Sequence, residues 1–130
     1  MSLFMERLGQ GPDIVLVHGW GLHGGVWADL AAHLAGRFCV TVVDLPGHGR
    51  SARRAPLHLD GLVEAVVDTL PGPAIWLGWS LGALVALAAA LTQRDKVLKL
   101  VLTGATPRFA RAADWPQAMS AELLEQFAVE

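Results

Sequence analysis

The chain has 130 residues, of which 53% are apolar before glycine is counted and 17% are charged, with a formal net charge of −2. No basic patch is interleaved with aromatics, which excludes a nucleic-acid binder, and the single cysteine, Cys39, excludes an internal disulfide. The length suits one domain with a real core, and the apolar excess suits strands buried on both faces or a piece of a larger protein that has lost the partner of an apolar face.

Met1 to Arg7 contains no apolar core of signal-peptide length. The longest apolar run, around Leu81 to Leu91, is too short to span a bilayer and is interrupted by Gly82. A soluble cytoplasmic protein is the expectation.

Residues 2–8 read as a short edge strand, followed by a turn at Gly9-Gln10-Gly11-Pro12. Asp13 to Val17 is a continuous apolar run, the mark of a strand covered on both faces. It ends in the glycine-rich loop His18-Gly19-Trp20-Gly21. Val26 to Leu34 shows helical spacing at Val26, Trp27, Leu30 and Leu34, with Gly36 placed to stop it. Phe38 to Val43 reads as a second buried strand, with Cys39 as a small core residue. Asp44-Leu45-Pro46-Gly47-His48-Gly49-Arg50-Ser51 is a turn-rich loop at its end.

Leu59 to Leu70 is expected to be a helix with Leu62, Val63, Val66, Val67 and Leu70 on one side, ended by Pro71-Gly72-Pro73. Ala74 to Leu77 is a third buried strand. The helix from Leu81 to Leu91 is apolar nearly all round and should be central and buried. Val97 to Leu102 reads as a fourth buried strand, followed by a loop at Thr103 to Pro107. The tail carries Trp115-Pro116 and a helix from Ser120 to Phe127, capped by Ser120. Strand and helix alternate, which argues for an α/β fold: a doubly wound, mostly parallel sheet with helices on both faces and right-handed crossovers. Ligands in such sheets bind beyond the carboxyl ends of the strands. The loops at 18–21, 44–51 and 78–82 all fall at those ends.

The most informative stretch is Gly78-Trp79-Ser80-Leu81-Gly82, a G-x-S-x-G match between a strand and a helix. Composition alone gives roughly 0.05 such matches by chance. The turn must be sharp enough to lift the serine hydroxyl clear of the sheet, and glycine avoids the clashes that side chains would make two positions away. The following helix points free N–H groups toward the place where an oxyanion would develop. The competing reading is a glycine-rich turn with Ser80 as a helix cap.

With its three loops, the chain resembles the alpha/beta hydrolases. Val17 to Leu22, Ala74 to Gly82 and Asp114-Trp115-Pro116 are similar to the pimeloyl-[acyl-carrier protein] methyl ester carboxylesterase family of biotin synthesis. The resemblance covers essentially the whole chain. It implies Ser80 as the catalytic nucleophile and the backbone N–H groups of Trp20 and Leu81 as the oxyanion hole. It implies hydrolysis of a methyl ester on a carrier-bound acyl chain, with an acyl-carrier protein as partner and no cofactor. Residues 1–106 would be part of the hydrolase core, and 107–130 the beginning of a lid or cap segment.

These enzymes place an Asp or Glu and then a His after the serine. No histidine follows Ser80 here, and the acids that do are Asp95, Asp114, Glu122, Glu125 and Glu130. Asp95 reads as surface charge. The sequence therefore resembles an amino-terminal half, without its catalytic acid and base. Among the other histidines, His18 is weighed as a substitute base but fits better as a shaper of the oxyanion loop. His48 reads as a loop-bonding residue, and His23, His33 and His58 as loop or helix-surface residues without metal-site spacing. Asp44 is expected to fix its own turn. Arg108 and Arg111 are the nearest candidates to meet an acidic carrier, against a plain reading as solvated charge. The strand at 97–102 would be an unpaired edge, open to self-association. The alternatives kept open are a non-catalytic truncated module and another hydrolase chemistry, such as a general esterase or lactonase.

Overall fold

The structure is a computed structural model that describes residues 3–52, 58–120 and 122–123. Five strands form one sheet: β1 (Met5–Leu8), β2 (Asp13–Val17), β3 (Cys39–Val43), β4 (Ala74–Trp79) and β5 (Val97–Thr103), in the order β1-β3-β2-β4-β5. β1 pairs antiparallel with β3, and every other pair is parallel. Three helices connect them: α1 (Ala28–Leu34), α2 (Leu59–Thr69) and α3 (Leu81–Thr92).

The period of two along a strand divides the core into two layers. Val15, Val17, Val43 and Trp76 point toward α2 and α3, where Val63, Val66, Val85 and Ala86 meet them. Ile14, Leu16 and Val40 point the other way, toward Trp27 and Ala31. The continuous apolar run of β2 follows from this, since both of its faces are covered. Each fully buried Val or Leu contributes about 1.5–3 kcal/mol by leaving water. Trp76 is wholly buried and donates its indole N–H to the Lys96 carbonyl at 3.3 Å. Helix α2 buries the face expected of it.

Four expectations change. The helix expected over Val26 to Leu34 begins as a 3-10 turn, Gly24–Trp27, capped by His23, whose Nδ1 accepts the Gly25 N–H at 3.0 Å. The tighter first turn advances the phase. Of the four spaced residues, Trp27 and Leu34 pack toward the sheet beside Ala31, while Val26 and Leu30 lie exposed. Helix α3 buries one side only, through Gly82, Ala83, Val85, Ala86 and Ala89, and leaves Leu91 71% exposed. β5 is not a buried strand. It is the sheet edge, with Leu98 61% exposed and Val101 46% exposed, and only Val97 and Leu100 join the core. Among the described residues nothing covers its other face or its free edge. Cys39, the first residue of β3, is a half-buried free thiol rather than a core residue.

The tail from 107 to 120 carries two isolated bridges, Ala110 with Met119 and Ala112 with Trp115. Ser120 Oγ accepts the Leu123 N–H at 3.3 Å, as a cap would. The rest of the expected helix, at 121 and 124–127, lies outside the described residues. Among the described residues no helix is long and apolar enough to cross a membrane.

Candidate active site

β4 ends at Trp79 and α3 begins at Leu81, so the chain turns on Ser80 alone. Ser80 has φ 56° and ψ −114°, and it is the one non-glycine residue with positive φ among the described residues. Such a conformation costs about 1–3 kcal/mol and persists only where neighbours enforce it. Two backbone bonds do so. Ser80 N–H donates to the Thr103 carbonyl at 3.0 Å, and Leu84 N–H donates to the Ser80 carbonyl at 3.1 Å. The glycines explain themselves sterically. A Cβ on Gly78 would run into the Gly82 carbonyl oxygen, and a Cβ on Gly82 would run into the Val17 and His18 carbonyls. The elbow thus closes on itself through Gly78 and seats against β2 through Gly82. The Ser80 side chain makes no helix-cap hydrogen bond, so the capping alternative fails.

The loop after β2 comes to the same place. Gly19 lies against the elbow: a Cβ there would sit 3.4 Å from Ser80 Cβ and from the Trp79 carbonyl oxygen. Leu22 N–H donates to the Gly19 carbonyl at 3.3 Å, closing a tight turn in which Gly21 takes φ 74°. Trp20, at the tip, is 65% exposed. Leu81 is half-buried at the first position of α3, where N–H groups have no partner within the helix. The structure therefore brings the Trp20 loop, Ser80 and the start of α3 together. Trp79 is 39% exposed beside Ser80, and a Cβ on Gly104 would lie 3.2 Å from its ring.

His18 is completely buried. Its Nδ1 lies 2.7 Å from the Gly19 carbonyl, and its Nε2 accepts the Leu45 N–H at 3.0 Å. Burial pushes the imidazole below its ordinary pKa of 6.5. With both nitrogens engaged it has no free lone pair to take a proton from Ser80, so it is not a substitute base. His48 Nδ1 bonds the Pro46 carbonyl at 3.0 Å, the loop-bonding role expected of it. His33 and His58 are exposed, as expected.

Asp44 does more than fix its own turn. One carboxylate oxygen accepts the Arg50 N–H at 2.9 Å, and the other accepts the Gly24 N–H at 2.6 Å, joining the two loops. A Cβ on Gly49 or Gly24 would crowd that carboxylate. Ser51 Oγ donates to the Asp44 carbonyl and accepts the Phe4 N–H. Asp95, Asp114 and Glu122 are exposed. Arg108 and Arg111 are also exposed, and each spends its Nε on a carbonyl of the tail, Ala110 and Ala118. Among the described residues no group of three or more His, Cys, Asp or Glu is placed to hold a metal ion.

The sequence reading missed the contribution of β5 to the elbow, through Thr103 and Gly104. The available signal was a glycine directly after a strand, at the same sheet end as the other loops. A separate cleft of about 420 Å³ lies between β1 and the start of α1, lined by Phe4, Leu8, His23, Ala28 and Arg50 among others. It includes none of Trp20, Ser80 or Leu81, and it is not the candidate site.

A family profile described as alpha/beta hydrolase fold matches residues 12–127. The pimeloyl-[acyl-carrier protein] methyl ester esterase of Methylococcus capsulatus is 48% identical over 128 residues, covering 98% of this chain and 50% of that protein. The protein of the same name from Stenotrophomonas maltophilia strain K279a is 51% identical, covering 98% of this chain and 49% of its own. Among solved structures, an esterase from Exiguobacterium antarcticum superposes with a TM-score of 0.86 at 25% identity, over 95% of this chain and 49% of that one. The chain spans about half the length of the curated relatives it matches. Profile, relatives and superposition agree with the elbow and the loops around it: the chain belongs to the alpha/beta hydrolase family.

Proposed function

We propose that this chain carries the nucleophile-bearing half of a serine carboxylesterase that cleaves the methyl ester of a pimeloyl chain held on an acyl-carrier protein, in biotin synthesis. The observation that carries the reading is Ser80 itself, a non-glycine residue held at φ 56° between β4 and α3 with Gly19 against it. The relatives' names supply the substrate class.

In this reading Ser80 Oγ attacks the ester carbonyl carbon. The Trp20 and Leu81 N–H groups donate to the oxygen that becomes negative. Collapse of the adduct breaks the bond to the methoxy oxygen, methanol leaves with a proton from the base, and an acyl-serine remains. Water then adds to the same carbon and frees the acid. Serine, base and water balance the reaction, so no cofactor enters it.

Without a base the hydroxyl is a weak nucleophile at neutral pH. His18 is committed elsewhere, and no histidine follows Ser80 in the 130 residues. The acid and the histidine are therefore assigned to sequence that the relatives carry beyond the matched half. Residues 1–106 form part of the core in this reading, and 107–130 are the beginning of a lid or cap segment. A carrier-borne substrate puts the reaction in the cytoplasm. The exposed edge of β5, with Leu98 and Val101, supports a second property, self-association of the isolated chain.

A chimera of these residues with the second half of the Methylococcus capsulatus relative tests the reading. It should release methanol from the pimeloyl-carrier methyl ester, and Ser80→Ala should abolish the release. A folded chimera that hydrolyses neither this ester nor short-chain esters in a Ser80-dependent way would contradict it.

A further inference from the structure

Trp79 is the last residue of β4, next to Ser80, and the end of β5 decides where its ring lies. The period of two puts Trp79 on the sheet face of Ile75 and Leu77. The helix on that face, α1, packs against β3, and Trp79 stays exposed. Its partner across the ladder is Thr103. The Thr103 carbonyl accepts the Ser80 N–H at 3.0 Å, and the strand ends there, before Gly104 with φ 58°.

The Trp79 ring reaches over to that glycine. A Cβ on Gly104 would lie 3.2 Å from Cδ1 and 3.3 Å from Nε1 of the indole. That is closer than the roughly 3.5–4.0 Å at which such atoms pack. The Ser80 amide nitrogen is 3.9 Å from the same point. Glycine at 104 thus meets two separable needs. One is positive φ, which asparagine also tolerates. The other is room for the indole, which any residue with a Cβ takes away.

We propose that Gly104 is a positioning residue for the Trp79 indole, letting it lie across the end of β5, and that through this ring it decides which acyl chains reach Ser80. The second half rests on the esterase reading. The indole is an apolar plate beside the hydroxyl, so a methylene chain on the acyl side of an ester packs on it. A Cβ at 104 swings the ring off the strand end and changes that approach. An acetyl group is too short to use the ring and is spared. The elbow itself is held through Thr103 and does not depend on the indole.

Trp76, on the same strand, is the internal control. It is wholly buried on the opposite face, and its indole N–H donates to the Lys96 carbonyl at 3.3 Å, just before β5. A general loosening of β5 from β4 would disturb both indoles. Displacement by a Cβ at 104 disturbs Trp79 alone.

Nitrogen-15 NMR of the 130-residue chain reads the indole N–H groups one by one. In the wild type the Trp79 indole N–H should show a nuclear Overhauser contact with the Gly104 α-protons. Its absence would overturn the proposal whether or not any variant folds. Gly104→Asn should shift the Trp79 indole signal and leave that of Trp76 in place. A Trp79 signal that stays, or two signals that move together, would overturn it. The same substitution in the chimera with the second half of the Methylococcus capsulatus relative should lower kcat/KM for p-nitrophenyl hexanoate, relative to the acetate, by about threefold or more. In a Trp79→Ala background it should leave that ratio unchanged. A ratio that does not move, or that moves equally without the indole, would remove Gly104 as a determinant of specificity. A chimera that cleaves no ester fails the esterase reading and takes the specificity half with it, while the indole signals still decide the positioning.

Discussion

The two sides of the sheet's loop end differ in how completely this chain finishes them. On the side of β2 and β3, the loops at 18–25 and 44–51 are tied through His18, Asp44 and Ser51, with their buried polar groups paired. On the side of β5, an edge strand leaves Leu98, Val101 and Leu102 exposed, beside a helix whose Leu91 is bare. Ser80 stands at the boundary, seated on β2 through Gly82 and on β5 through Thr103. The contrast teaches that placing a nucleophile and completing its proton transfer are separable tasks. The first requires strain held by close-packed backbone, and Ser80 shows it, at positive φ between Gly78, Gly82 and Gly19. The second requires a base, and in the proposed reading the described residues of the open side offer none.

The largest effect should come from the closed side. Gly82→Ala drives a Cβ into the Val17 and His18 carbonyls, which are backbone and cannot step aside. A loss of roughly 3 kcal/mol or more is expected in denaturant unfolding. A near-neutral result would mean that the elbow is not seated on β2. Next comes Asp44→Ala, which orphans the Gly24 and Arg50 amides. A loss of about 2 kcal/mol is expected from the same measurement. Ser80→Gly should act in the opposite direction. Glycine adopts positive φ without a Cβ penalty, so unfolding free energy should rise by about 1 kcal/mol. No gain would mean that Ser80 stores no strain. The smallest effect belongs to the open side: Leu98→Lys, on a side chain 61% exposed, should change stability by less than about 0.5 kcal/mol. The same substitution should reduce any self-association seen by sedimentation.

The finished side was also the more legible in sequence. β2 declared itself because burial on both faces leaves no polar position in Ile14 to Val17. The elbow declared itself because only glycine fits at 78 and 82. The phase of the first helix did so only in part: Trp27 and Leu34 pack inward as their spacing implies, while Val26, inside the 3-10 turn, and Leu30 lie exposed. β5 misled for another reason. Its apolar run is the pattern of a strand covered on both sides, and a pattern cannot say whether the cover lies within these residues. The bond from Asp44 to Gly24 spans 20 positions, and the bond from Ser80 to Thr103 is likewise non-local. Neither leaves a periodic trace.

The central claim is that Ser80 is a placed nucleophile without a proton acceptor in these residues. Turnover of a chromogenic short-chain ester by the 130-residue chain, side by side with Ser80→Ala, tests it most directly. Little or no turnover, indistinguishable between the two, is the predicted result. Robust hydrolysis that Ser80→Ala abolishes would contradict it, since a base would then have to act from within the chain.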